Sequence, residues 1–232
     1  SKIAALDESE INTKVKELSF LGGVEHHSVN SFKISMLNFD HELFYKTYNQ
    51  LLQEKNFREI FYEVFLPLLT ELEILWQTQT ITSSHERFIT AHIRQKILIH
   101  IERLQSLSPH PKTKTYVLFL PSNEIYDIGI LFLNYELLSK GYHTIYLGEN
   151  TPSEDLGQLN DLYNEITYIS YFKVMPPLES MPEYLSEIND QVIKGTSNSM
   201  LLVGSRFKNY NSVNEYENVT YYDSLKKLVK DL

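Results

Sequence analysis

The sequence predicts an α plus α/β protein, a helical bundle followed by a five-stranded, doubly wound parallel sheet. Apolar residues recur every three or four positions from about Asn30 to Gln105, the period of amphipathic helices that bury their stripes against one another. A polar, proline-bearing linker follows at Ser106–Lys114. Beyond it, short apolar runs alternate with helical patterns, as in parallel strands joined by right-handed helical crossovers. The second half is therefore expected to be Rossmann-like.

The helical half contains three apolar stripes with identifiable boundaries. Asp40 is the predicted cap of the first helix, and Ser83 or Ser84 of the last, because their side-chain oxygens can accept from free backbone N–H groups. Pro67 lies inside the middle stripe and should kink that helix or mark a start within it.

The α/β half has five runs of strand length, and the loops after them are the expected ligand-facing positions. The runs are Tyr116–Leu120, His143–Leu147, Ile166–Val174, Met200–Val203 and Val219–Tyr222. In doubly wound sheets ligands bind outside the carboxyl ends of the strands. The loops of interest are therefore Pro121–Ile128, Gly148–Ser153, Lys173–Pro177 and Gly204–Val213.

Composition excludes several functional classes. The 232 residues include no cysteine and carry a formal net charge of -9. Without cysteine there is no disulfide, thiolate metal site or thiol nucleophile, as in a reducing cytoplasm, the expected location. The acidic balance argues against DNA binding by this segment itself. No apolar stretch is long enough to cross a membrane, and no metal site is predicted, since His85 and His92 have no third ligand.

Two groups of polar and aromatic residues could form a site. In the helical half, nine residues separate Trp76, at the end of one stripe, from Glu86 and Arg87, at the start of the next. Alternatively, these are a core tryptophan and an acidic residue suited to the helix dipole. In the α/β half, Glu124, Tyr126 and Gly129 follow the first strand, and Asp127 beside them is a natural helix cap.

These residues, in this order, resemble the cobalamin-dependent MerR family of transcriptional repressors. In that family the bundle carries a Trp, nine residues, then Glu-His. The α/β domain carries Glu/Asp-x-His-x-x-Gly, Ser-x-Leu and Gly-Gly. Trp76 and Glu86 match, as do Glu124 and Gly129. The remaining positions are altered or loose matches: Arg87 and Tyr126 replace the two histidines, Ser170 and Phe172 form a loose Ser-x-Leu, and Gly204 and Ser205 stand for Gly-Gly.

The resemblance implies a cobalamin-binding-type fold and a regulatory role. The expected divisions are the tail of a winged helix-turn-helix domain over 1–18, a linker over 19–29, the bundle over 30–108 and the sheet domain over 114–232. A MerR-type sensor would assemble as a homo-oligomer, a dimer or a tetramer, would not be an enzyme, and would contact DNA only through a domain missing from this sequence.

The cofactor prediction turns on the replaced histidines. In the family an imidazole ligates cobalt, the nucleotide tail enters the α/β domain, and the bundle's Trp covers the upper face. Imidazole suits such a metal, whereas a phenol is protonated at neutral pH and ligates poorly. Phe172 and Ser205 would also narrow the tail slot. We therefore expect no cofactor, with adenosylcobalamin as the alternative. The corresponding functional alternatives are a working cobalamin photoreceptor or a corrinoid-carrier domain of a methyltransferase-like protein.

Overall fold

The structure is a computed structural model that describes residues 24–106, 114–209 and 216–232. The chain divides into two compact units, one ending at Lys96 and the other beginning at Ile97. The winged-helix tail expected over 1–18 and the linker up to residue 23 lie outside the described residues. Residues 24–29 of the expected linker are helical instead, and the division falls inside a helix, short of the bundle end expected at 108.

The helical unit consists of consecutive helices. They are α1 (Val24–Asn38), α2 (His41–Glu54), α3 (Phe57–Ile60), a π-helical turn (Phe61–Phe65), α4 (Leu66–Gln77) and α5 (Ser83–Gln105), whose last residues belong to the second unit. Among the described residues, no helix is long and apolar enough to cross a membrane.

Local signals explain most of these helix boundaries. Asp40 caps α2 as predicted, its carboxylate accepting from the Leu43 N–H at 2.9 Å. Pro67 lies in the first turn of α4, directly after the π-helical turn, so it marks a start within the stripe. Ser83 and Ser84 both lie inside α5 rather than capping it.

The core of the helical unit is aromatic. Phe32, Phe44 and Phe65 are fully buried, with ring centroids 4.9 to 6.4 Å apart. Lys96 is buried too, and its ammonium lies 3.8 Å from the ring centroid of Tyr45. Burial lowers the pKa of Lys96, and the cation–π contact offsets part of that desolvation.

The second unit contains the predicted five-stranded parallel sheet. Its strands are β1 (Thr115–Pro121), β2 (His143–Thr151), β3 (Ile166–Tyr171), β4 (Ser199–Val203) and β5 (Val219–Tyr222), in the spatial order β2-β1-β3-β4-β5. Its helices are α6 (Ile128–Ser139), α7 (Ser153–Leu156), α8 (Met181–Ile188) and α9 (Leu225–Asp231), with 3₁₀ turns over Gly157–Asp161, Leu178–Ser180 and Ser205–Asn209 and a π-helical turn over Asn189–Ile193.

Helices cover both faces of this sheet, which confirms the doubly wound prediction. Helices α6 and α9 pack on the face that carries Leu118, Ile169 and Val203. On the opposite face, α7 and α8 pack against Phe119 and Tyr168. Both faces are buried, so β1 has no exposed residue and reads as a continuous apolar run.

Candidate functional site at the carboxyl edge of the sheet

The strand order creates one switch point, between β1 and β3. The chain leaves β1 toward β2 on one side and returns to β3 on the other. The loop after β1 (residues 122–127) and the loop after β3 (residues 172–177) therefore flank the crevice where doubly wound sheets bind ligands. We call these two segments the loop pair.

Glu124 ties the loop pair together. Its side chain is fully buried. One carboxylate oxygen accepts from the N–H groups of Ile125 and Tyr126 at 3.0 and 3.1 Å. The other accepts from those of Lys173, Val174 and Met175 at 3.1, 2.6 and 2.9 Å. Five backbone donors satisfy both oxygens of the buried carboxylate. Glu124, which matches the family motif, thus joins the two loops across the switch point, and we call this set of hydrogen bonds the clamp.

Arg206 holds the same loop from the other side, and sequence reasoning missed it. One guanidinium nitrogen, Nη1, donates to the carbonyls of Val174 and Pro176 at 2.6 and 2.8 Å. The loop after β3 thus has its N–H groups bound by a carboxylate and its carbonyls by a guanidinium. Nothing local could have revealed this role, because Arg206 lies about thirty residues beyond its partners and belongs to no motif.

The clamp leaves apolar and aromatic side chains at the edge of the sheet. Ile125 and Val174 flank the clamp, one on each loop, and are 60% and 51% exposed. Tyr126 is half-buried, and the Lys173 ammonium lies 4.4 Å from its ring centroid. The ring face of Tyr126 is thus engaged in a cation–π contact. This edge suits a ligand with a broad apolar surface.

Gly129 lies in the first turn of α6 and is covered by an aromatic ring. A β-carbon at this position would lie 3.0 Å from the ring of Tyr171. Glycine is favoured here because Tyr171, at the end of β3, packs directly on the helix backbone, and a β-carbon would force its ring to shift. The space beside the glycine is therefore filled by this chain's own side chain. Tyr171 is the middle residue of the loose Ser-x-Leu motif. A large aromatic side chain at that position was the sequence signal that could have predicted this packing.

The other two residues of that motif face an apolar, closed environment. Phe172 is buried and packs edge-to-face on Tyr184 and Phe207, at 5.7 and 5.3 Å between centroids. The buried hydroxyls of Ser170 and Tyr184 have no hydrogen-bond partner among the described residues. Burial raises the pKa of Tyr184, and the neighbouring Ser170 hydroxyl acts in the opposite sense.

Gly204 and Ser205 have structural roles. A β-carbon on Gly204 would lie 2.3 Å from the carbonyl oxygen of Phe172, so only glycine allows β3 and β4 to approach this closely at their ends. The Gly204 N–H donates to the Tyr222 carbonyl at 2.9 Å. Ser205 is exposed and begins a 3₁₀ turn.

The candidate residues of the helical unit lie on either side of one turn. Trp76, near the end of α4, is 52% exposed. Glu86 is half-buried in the first turn of α5, and Arg87 is exposed. The exposed indole contradicts the alternative that Trp76 is a residue of the hydrophobic core. Its role in a site stays a prediction, as does that of Glu86 and Arg87.

Metal ligation has no support in the described parts of the chain. Across residues 24–106, 114–209 and 216–232, no three His, Cys, Asp or Glu side chains are grouped so that they could hold an ion. Tyr126, at the position of the family's cobalt ligand, presents a phenol. A corrinoid needs only one donor from the protein, and a phenol at this position is a poor one for cobalt.

A helical part followed by a five-stranded parallel sheet in this order is the Rossmann-like cobalamin-binding fold of corrinoid proteins. A family model described as the B12 binding domain matches residues 29–99, in the helical part. The fold is similar to that of the monomethylamine corrinoid protein of Methanosarcina barkeri, with a TM-score of 0.73, 9% identity, and coverage of 90% of this chain and 98% of that chain.

Two further comparisons are weaker. The methanol:cobalamin methyltransferase complex of the same organism gives a TM-score of 0.43 with 16% identity, covering 99% of this chain and 85% of that chain. A cobalamin-binding protein from Desulfitobacterium hafniense gives 0.39 with 14% identity, covering 88% and 96%. No curated protein matches this sequence.

These comparisons bear on the helical part and on the fold. They support a B12-binding-type helical part and the corrinoid-protein fold, and none of them points to a MerR regulator.

Proposed function

We propose that this chain is a corrinoid-binding module of the carrier type that holds its ligand without supplying a cobalt ligand of its own. The B12-binding match over 29–99 supports the ligand class. The absence of a histidine at Tyr126 supports the mode, because a phenol is a poor partner for cobalt. The chain would then bind and present a cofactor, and catalysis would belong to a partner.

The observation that carries this proposal is the Glu124 clamp. A carboxylate that binds backbone amides on both sides of the switch point fixes the shape of the crevice before any ligand arrives. Pre-organised loops bind with a smaller entropic penalty than mobile ones. With Ile125 and Val174 exposed beside the clamp, the fixed edge offers apolar contact area to a large, flat macrocycle.

A regulatory version of the proposal is the sensor region of a MerR-type regulator. It depends on the spacing of Trp76 and Glu86 and on the exposure of the indole. In this version ligand binding would change how subunits assemble, and a homodimer or tetramer remains a prediction. The carrier version has more support, because the comparisons lead to corrinoid proteins.

The test is retention of cobalamin by the purified chain. The chain is mixed with hydroxocobalamin or adenosylcobalamin in the dark and separated by gel filtration. We expect visible corrinoid absorbance to elute with the protein. Elution of all colour with the free ligand would contradict the proposal.

Two variants at the carboxyl edge of the sheet and one control variant test where the corrinoid binds. Ile125→Asp and Val174→Asp add a charge to the apolar edge and should reduce retained corrinoid at least about tenfold, equivalent to about 1.4 kcal/mol. Leu162→Asp is the control, because Leu162 is 71% exposed but precedes β3 at the opposite end of the sheet. Equal losses in all three variants would show that the carboxyl edge is not the binding surface.

A further inference from the structure

We infer that a corrinoid bound by this chain keeps its own nucleotide base on cobalt, so that the nucleotide tail does not enter the α/β unit. This inference rests on the proposed function and specifies the form of the ligand. It is the reverse of what the family resemblance implies, in which an imidazole of the protein displaces the base. Two features of the described residues carry it.

The first feature is the missing replacement ligand. Displacing the base leaves cobalt one donor short unless the protein supplies another. The residue at the family's histidine position is Tyr126, whose ring face is engaged by the Lys173 ammonium at 4.4 Å. Glu124 is not an alternative ligand, because its carboxylate is fully buried and already accepts from five backbone N–H groups. Neither residue offers cobalt a suitable donor.

The second feature is the filled space on both faces of the end of β3. Beside α6, the Tyr171 ring lies 3.0 Å from where a Gly129 β-carbon would be, which leaves no room for an inserted base. On the other face, Phe172 is buried against Tyr184 and Phe207. A tail that entered here would have to displace packed aromatic rings, the half-buried Tyr171 on one face and the buried Phe172 on the other.

The two features act in the same direction. The chain gains nothing at cobalt by removing the nucleotide base, and it would lose aromatic packing by accommodating the tail. Retaining the base on cobalt avoids both costs. The exposed apolar edge at Ile125 and Val174 remains available to the ligand in either case.

Electron paramagnetic resonance of cob(II)alamin carrying a ¹⁵N-labelled lower base distinguishes the alternatives. A base that stays on cobalt gives a nitrogen doublet, a protein imidazole gives a triplet, and an empty axial position gives no nitrogen splitting. We expect the doublet for the full chain after gel filtration. A bound corrinoid with no nitrogen splitting would overturn the inference while the proposed function stands. A triplet would overturn the inference and would also contradict the proposal that the chain supplies no cobalt ligand, although corrinoid binding itself would stand. Absence of bound corrinoid would overturn both.

Variants test the assigned residues directly. Tyr126→His with Tyr171→Gly restores a donor and opens the space over Gly129, so the doublet should change to a triplet. The control is Tyr126→His with Tyr222→Gly, which removes a half-buried ring from the same face but not from Gly129. The control should keep the doublet. A triplet in the control, or a doublet in the first variant, would show that Tyr171 does not block the tail. Circular dichroism of both variants establishes that they are folded.

Discussion

Glu124 is a buried carboxylate whose hydrogen-bond donors are backbone amides rather than a basic side chain. Its five hydrogen bonds join segments fifty residues apart in sequence. A charged acceptor strengthens each N–H bond, and removal of the acceptor leaves buried donors unpaired. This single residue therefore contributes both to the stability of the α/β unit and to the shape of the crevice.

Glu124→Ala should destabilise the α/β unit by about 3–5 kcal/mol, because buried amides lose their acceptor and a cavity is left. Glu124→Gln should cost about 1–3 kcal/mol, since its NH₂ group must face backbone donors. Urea unfolding followed by circular dichroism measures both. Glu149→Gln, at an exposed position, is the control and should stay within about 0.5 kcal/mol of the parent. A Glu124→Gln variant as stable as that control would refute the clamp.

The candidate residues could be read from the sequence, but their interactions could not. Glu124 and Gly129 were expected at the crevice because polar residues and glycine follow a buried strand. Their partners, the amides of residues 173–175 and the ring of Tyr171, come from a loop remote in sequence. Arg206 was missed for the same reason. Tyr171 could have been included among the candidate residues, since it is a large aromatic residue at the variable position of the motif.

Among the helices and strands, periodic patterns predicted the type and order of the elements better than their ends. Strand β2 continues to Thr151 rather than Leu147, and β3 ends at Tyr171 rather than Val174. Residues 24–29 are part of α1, although a linker was expected over 19–29. Asp127 occupies the N-cap position of α6, yet makes no side-chain capping bond.

His85 links the start of α5 to the end of α1. Its Nδ1 accepts from the Thr82 N–H at 3.1 Å, and its ring stacks on Phe39 at 4.9 Å between centroids. Burial lowers the pKa of His85 from 6.5, while a hydrogen bond with the Leu37 backbone acts in the opposite sense. The folded state thus favours the neutral imidazole, and protonation would remove the Nδ1 acceptor.

The stability of the helical unit should fall as the pH drops below about 6.5, because the unfolded chain then binds more protons than the folded one. The loss is complete once the pH is below the lowered folded pKa. Thermal unfolding at pH 7.5 and 5.5 measures it. His85→Gln, which does not titrate, should show a smaller decrease than the parent between these values. Equal decreases would mean that other groups account for the pH dependence.

In the molecule as a whole, the two units contain different features. The helical unit contains the B12-binding match, and the α/β unit contains the clamped crevice. The sheet topology was predictable because alternating strand and helix patterns admit few arrangements. The packing of Tyr171 on Gly129, on which the inferred ligand mode rests, was not predictable, since it joins segments remote in sequence.

The net charge of -9 yields a prediction for the chain as a whole. Non-specific DNA binding depends on phosphate neutralisation by basic side chains, and non-specific binders reach dissociation constants of about 10⁻⁴–10⁻⁶ M at physiological salt. We expect this 232-residue chain to show weaker binding than that range to a labelled duplex in fluorescence anisotropy, with or without cobalamin. An affinity within the range, falling steeply with added salt, would contradict this expectation. It would restore the possibility that the segment itself contacts DNA, and the regulatory version of the proposal would then outweigh the carrier version.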